Sequence, residues 1–187
     1  MKKIIVPSVY DSSAEERPIY SAWLKHSNER DMLEKVLDEK FDDWYVRNPL
    51  SMLEWGCGLG SAAQRFMSVL NRRGAEYNYT GVDPFLDQLA RFRSVVSGDK
   101  RVRLEQGSFD SYVPEKKYDL GIAVHSLYYA DFEPVLAKIA EFSDKMFLVH
   151  HGEQGINQVH LSFPELIIGR ANEVSTHKDV CAVLDHL

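Results

Sequence analysis

The chain has 187 residues, a length that suits one domain with a sizeable core. Hydrophobic residues make up 44%, which excludes a disordered chain, and no apolar run is long enough to span a bilayer. The balance of 22 basic against 28 acidic residues leaves a net charge of −6, which argues against a nucleic-acid backbone as the main partner.

The start, MKKIIVPSVYDSS, lacks the longer apolar region and small-residue cleavage site of a signal peptide, so a cytoplasmic protein is expected, with no membrane partner. Cys57 and Cys181 form neither a disulfide framework nor a metal-ligand spacing and read as free thiols. Residues 1–48 read as a helical cap. In SNERDMLEKVLDEKFDDWY the apolar residues Met32, Leu33, Val36, Leu37, Phe41, Trp44 and Tyr45 make a stripe on one helix face. Ser27 or Asn28 serves as N-cap, acids follow in the first turn, and Pro49 ends the segment.

From residue 49 the pattern alternates. LSMLEW reads as a buried strand, and SAAQRFMSVLNRRG as a helix closed by Gly74. YNYTGVD is a second strand and PFLDQLARFRSVV a second helix with Pro84 in its first turn. RVRLEQ is a third strand, YDLGIAVHS a fourth, DFEPVLAKIAEFS a helix and KMFLVHH a fifth strand. The basic stretch RFRSVVSGDKRVR reads as solvated surface. GEQGINQVHLSFPELIIGRANE reads as a long excursion or lid, and STHKDVCAVLDHL as a capped amphipathic helix. The alternation predicts an α/β, Rossmann-like, doubly wound and mostly parallel sheet, residues 49–187, folded as one domain with the cap. Ligands of such sheets sit outside the carboxyl ends of the strands.

In LEWGCGLGSAAQRF, Gly56, Gly58 and Gly60 stand at alternate positions behind a strand, with Glu54 just before them. Glycine lets a ligand approach the backbone and permits positive φ, and the helix that follows offers free N–H groups. A dinucleotide fingerprint would place its last glycine where Ser61 stands. The Glu54 carboxylate would repel a pyrophosphate and suits a ligand with a positive end. Asp83 ends the second strand, where a carboxylate can accept two hydrogen bonds from a vicinal diol. Cys57 reads as a small residue without chemistry.

This acid, the G-x-G-x-G loop and Asp83 resemble the first motifs of the class I S-adenosylmethionine-dependent methyltransferases. The resemblance implies S-adenosyl-L-methionine as cofactor, with Asp83 on its ribose. SAWLKHSNERDMLEKVLDEKF, GVDPFLDQLARFR and HSLYYADFEPVLAKI are similar, further, to histamine N-methyltransferase and its relatives. Within that resemblance Glu29 takes the place of the substrate-binding glutamate, and Gln88 that of a cofactor-contacting glutamine. His125 stands where a glutamine lines the amine pocket, and Tyr128 and Tyr129 match a tyrosine pair. Ser108 falls on the adenine side, where Phe109 could cover the ring, and Val124 completes the cofactor contacts.

The implied reaction is methyl transfer to a small molecule, in particular a nitrogen of an amine or imidazole-type compound. Glu29 would bind a cationic amine, His125 would orient the acceptor or take its proton, and Tyr128 or Tyr129 would form the pocket wall. His125 and Tyr128 are the expected catalytic pair. A shared metal at His150, His151 and Glu153 is not expected, because adjacent strand residues point to opposite faces. The glutamine-to-histidine change at 125 argues against histamine itself. Five strands are counted where this fold normally has seven, so strands six and seven read as absent. The exposed edge would invite a second copy or a partner that completes the sheet. Two other classes stay open: a cofactor-binding module without its own catalysis, one half of a complex, and a nucleotide- or NAD-binding enzyme.

Overall fold

The structure is a computed structural model, and it describes residues 26–129, 131–154, 157, 158, 162 and 175–187. The first helix, α1, runs from Glu29 to Glu39. Asn28 takes the N-cap position, while the Ser27 hydroxyl accepts the Glu29 N–H at 3.2 Å. The helical stripe is not continuous: it breaks at Lys40 and resumes as the short α2, Phe41–Trp44. The break lets the Trp44 indole fold back and donate to the Leu37 carbonyl at 2.8 Å, burying the ring. The rest of the expected cap, residues 1–25, lies outside the described residues.

The core is built from β1 (Leu50–Trp55), α3 (Ser61–Arg72), β2 (Tyr77–Asp83), α4 (Leu86–Val95) and β3 (Val102–Gln106). It continues with β4 (Tyr118–Val124), a 3-10 turn at Leu127–Tyr129, α5 (Phe132–Glu141), β5 (Ser143–Val149) and α6 (His177–Leu184). Besides the end of β5 at Val149, before the histidine pair, two boundaries beside the site differ from the sequence reading. Pro84 precedes α4 instead of sitting in its first turn, because Phe85 is extended and its N–H is taken by Asp83. β4 stops at Val124, because His125 leaves the extended region with φ 53. Most of the expected excursion after Gln154 lies outside the described residues.

Among the described residues the sheet has five strands in the order β3-β2-β1-β4-β5, every pair parallel. The order reverses between β1 and β4, so their carboxyl ends part into a crevice. Period-two alternation divides the strand residues between two cores. Leu50, Met52, Tyr77, Tyr79, Leu120 and Ile122 pack with Leu37, Phe66, Leu70 and Phe92 on one face. Leu53, Trp55, Val82 and Ala123 pack with Leu136, Ile139 and Val180 on the other.

α1 is held across α3 by charge as well as by Leu37. Glu34 accepts from Arg65 at 3.1 Å, Arg72 at 2.9 Å and Ser68 at 3.0 Å, and Asp38 accepts from Arg73 at 2.9 Å. Arg30 donates to the Ser61 hydroxyl at the first residue of α3, 2.8 Å away. The cap helix is thereby fixed beside the glycine loop.

Candidate active site

The loop after β1 is formed by three glycines with positive φ: Gly56 at 71°, Gly58 at 52° and Gly60 at 76°. The N–H groups of Gly56 and Cys57 both donate to the Val82 carbonyl, at 2.8 and 3.0 Å, which ties the loop to β2. The Gly60 carbonyl accepts the Gln64 N–H at 3.0 Å and so starts α3. A methyl group on Gly56 would lie 2.5 Å from Ser126 Cβ, and one on Gly60 would lie 2.3 Å from the Phe92 ring. At Gly58 an added Cβ would meet no atom of the described residues within 4 Å. Two of the glycines therefore serve internal packing, and the middle one opens onto empty space.

Asp83 stands beside that space. One carboxylate oxygen accepts the Gly58 N–H at 2.8 Å and the other the Phe85 N–H at 2.9 Å. Burial raises its pKa, and the two backbone donors pull it back down. Each oxygen keeps a second lone pair for a diol. Glu54 behaves differently. It is 1% exposed, beneath the loop, where Tyr79 donates to it at 2.5 Å. Burial, assisted by the Asp83 charge and opposed by Tyr79, pushes its pKa up to about 8. Glu54 thus holds its proton through neutral pH, and its expected repulsion of a pyrophosphate does not follow from this geometry. Cys57 packs against Gly81, where a Cβ would lie 2.8 Å from its sulfur, and burial pushes its thiol pKa up, so it is inert.

The other expected contacts fall around the crevice in different ways. Gln88 is half-buried in the first turn of α4, five residues after Asp83. Val124 ends β4, paired with Val149. Ser108 and Ser111 bind each other through hydroxyls and backbone, at 2.9 to 3.2 Å, so the Ser108 hydroxyl shapes its own turn. The Phe109 ring stacks on Trp55, with centroids 6.0 Å apart, in the core on the opposite face from Asp83. That placement accounts for Phe109 by packing.

On the far side of the crevice, His125 follows β4. Its Nδ1 lies 2.5 Å from the Tyr128 hydroxyl, and its Nε2 meets Glu29 Oε1 at the start of α1. The His125 contact, ahead of the opposing effect of burial, draws the Glu29 carboxyl below its ordinary value. Tyr129 shares the 3-10 turn, and its side chain lies outside the described residues.

His150 and His151 join this cluster, which the alternation argument did not foresee. β5 ends at Val149, so neither residue obeys the strand's alternation. Both rings lie 4.4 Å from the Tyr128 ring, and His151 lies 5.0 Å from His125. The His151 carbonyl accepts the His177 N–H at the start of α6, and His150 Nε2 lies 3.0 Å from the Ser175 hydroxyl. Among the described residues no three His, Cys, Asp or Glu side chains converge on a metal position. The signal for this cluster was the break of the strand pattern at the histidine pair, which the sequence leaves ambiguous.

A glycine loop behind β1, an acid at the end of β2 and a crevice at the sheet's switch point define a class I methyltransferase fold. Residues 53–143 match the family described as methyltransferase domain. S-adenosylmethionine is the cofactor of this class. No curated protein matches the chain. Among solved structures it is similar to the CMeT domain of the citrinin polyketide synthase, with 18% identity, a TM-score of 0.72 and coverage of 93% of this chain and 50% of that one. It is also similar to the magnesium protoporphyrin IX methyltransferase of Synechocystis PCC 6803 with bound SAH, with 14% identity, a TM-score of 0.64 and coverage of 94% and 77%. The plantazolicin methyltransferase BpumL in complex with SAH gives 12% identity, a TM-score of 0.68 and coverage of 95% and 71%. At these identities the likeness is one of fold, and the chain spans half the length of the first of these proteins.

Proposed function

We propose that this chain binds S-adenosylmethionine and transfers its methyl group to a small molecule, at a nitrogen of an amine or imidazole-type compound. The observation that carries the reading is the open space at Gly58 beside the two hydrogen-bonded oxygens of Asp83. The residues present fit the cofactor. Gly56, Gly58 and Gly60 leave the backbone bare, Asp83 would hold the ribose hydroxyls, and Gln88 and Val124 would border the crevice. Ser108 would contribute to the adenine side through its turn. Glu54 would support the loop from beneath.

When bound, S-adenosylmethionine supplies a methyl group already activated on a sulfonium. The chain's own work is then to place the acceptor in line and exclude water. Glu29, His125, Tyr128 and Tyr129 would make the acceptor side, with His125 and Tyr128 as the groups that handle the acceptor's proton. The sequence resemblance of Glu29, Tyr128 and Tyr129 to the histamine N-methyltransferase branch favours a nitrogen acceptor. Residues 1–48 would cap the crevice over it.

Calorimetry with SAH and with NAD, followed by transfer of labelled methyl from S-adenosylmethionine to a panel of amines, tests the reading. SAH binding with turnover is expected. Binding without turnover would favour a cofactor-binding module, and NAD binding in place of SAH would overturn the assignment.

A further inference from the structure

The left-handed step at His125 has a geometric result. It swings the imidazole out of line with β4 and sets it between two partners from distant parts of the chain, Tyr128 on Nδ1 and Glu29 on Nε2. A non-glycine residue held at positive φ is strained, and such strain persists where surroundings over-determine it. Here the surroundings are functional in type: a carboxylate, an imidazole and a phenol in one unbroken line of contacts.

This inference rests on the methyl-transfer reading above. We propose that Glu29, His125 and Tyr128 form a proton relay, and that the acceptor is an amine that arrives carrying the proton the relay removes. Glu29 is then a positioning residue that acts through His125, and Tyr128 is the group that meets the acceptor.

The chemistry follows from the atoms in contact. In the relay His125 carries its proton on Nε2, which faces Glu29, and Nδ1 accepts the Tyr128 hydroxyl. The acceptor ammonium gives its proton to the Tyr128 oxygen as the phenol proton passes to Nδ1, and Glu29 holds the resulting imidazolium. The nitrogen lone pair so freed forms the new N–C bond. The C–S bond breaks, and its electron pair stays on sulfur. An acceptor imidazole is already largely neutral near pH 7 and needs no such relay, whereas an aliphatic amine must first lose a proton. The groups that face the relay are Glu29 and Arg30 from α1, His125 and Tyr128 after β4, and His150 and His151 after β5. The rings of that last pair, both 4.4 Å from Tyr128, pack against it and help fix its position.

Two measurements on the full chain test the proposal. In nitrogen-15 spectra of histidine, with and without SAH, neutral His125 is expected as the Nε2–H tautomer. Tyr128→Phe and Glu29→Ala should each move it toward the mixture of a free imidazole. A wild-type Nδ1–H tautomer, or one indifferent to both substitutions, would overturn the relay. In methyl transfer, benzylamine should be used in preference to imidazole, and Tyr128→Phe should lower its kcat/KM by about 10²–10⁴-fold while the SAH dissociation constant stays unchanged. Preference for imidazole, no transfer to benzylamine, or an unaltered rate in Tyr128→Phe would sink the acceptor assignment. Failure of SAH itself to bind strikes the methyltransferase reading instead, and the tautomer of the ligand-free chain reports on the relay separately.

Discussion

The Tyr79 hydroxyl and the Glu54 carboxyl share a 2.5 Å hydrogen bond with both side chains 1% exposed. Burial holds the Glu54 pKa at about 8 in the folded chain, against an ordinary 4.5. Between those two values the folded state keeps a proton that the unfolded state has lost. Stability therefore falls as pH rises through this window, by at most about 1.4 kcal/mol per pH unit. Glu54→Gln should remove this fall and leave melting temperature flatter against pH between 6.5 and 8, above the window in which His150 acts. Tyr79→Phe leaves the buried acid without its donor and should destabilise by about 1–3 kcal/mol. An unaltered pH profile in Glu54→Gln would show that this carboxyl is ionised in the fold.

Gly58 and Gly60 separate cofactor space from protein space. At Gly60 a Cβ would strike the Phe92 ring at 2.3 Å, so Gly60→Ala should destabilise by about 2–4 kcal/mol through clash and positive φ. At Gly58 the Cβ meets no atom of the described residues within 4 Å, and Gly58→Ala should cost only about 1–2 kcal/mol of stability for its backbone. Its SAH affinity should fall at least tenfold all the same. Denaturant melts and calorimetry on the two variants check this, and equal SAH affinity in Gly58→Ala would place the cofactor elsewhere.

The core of this arrangement was legible in the sequence because it depends on local rules. Short apolar runs set between helical segments marked Leu50–Trp55, Tyr77–Asp83 and Tyr118–Val124, and the loop glycines with Asp83 marked the crevice at their ends. What stayed hidden depends on packing between distant segments. The burial that keeps Glu54 protonated comes from Tyr79 and the core around it, and no spacing announces it. Phe109 looked like a cover for the crevice, but the face it joins is set by Trp55. His150 and His151 were read as strand residues, and the strand ends one residue too soon for alternation to separate them.

Asp83 is the residue on which cofactor affinity should depend most. It carries the Gly58 and Phe85 N–H groups and, in the proposed complex, both ribose hydroxyls. Hydrogen bonds to a charged group contribute about 1.5–3 kcal/mol each. Asp83→Ala should weaken SAH binding by about two orders of magnitude or more. Asp83→Asn keeps one acceptor oxygen and should fall between wild type and Asp83→Ala. Because the loop also leans on this carboxylate, melting temperatures must be read beside the calorimetry. A folded Asp83→Ala with wild-type affinity would remove the ribose assignment.

His150 acts on stability with the opposite sign to Glu54. Burial, followed by the neighbouring His151, pushes its pKa down to about 4, against an ordinary 6.5, even though Ser175 favours the charged ring. Between those values the unfolded chain binds a proton that the folded chain refuses, so stability rises with pH across the window and is lost as pH falls. His150→Gln should remove that rise and so uncover the Glu54 fall from pH 4.5 upward, where the two oppose each other in the wild type. Melting temperature against pH for wild type, His150→Gln and Glu54→Gln separates the two contributions. Because the His150 ring lies 4.4 Å from Tyr128, its charging below that window would also place a cation against the acceptor wall. Amine methylation by wild type should therefore decline toward pH 4 more steeply than in His150→Gln; identical declines would show that the His150 charge does not reach the site.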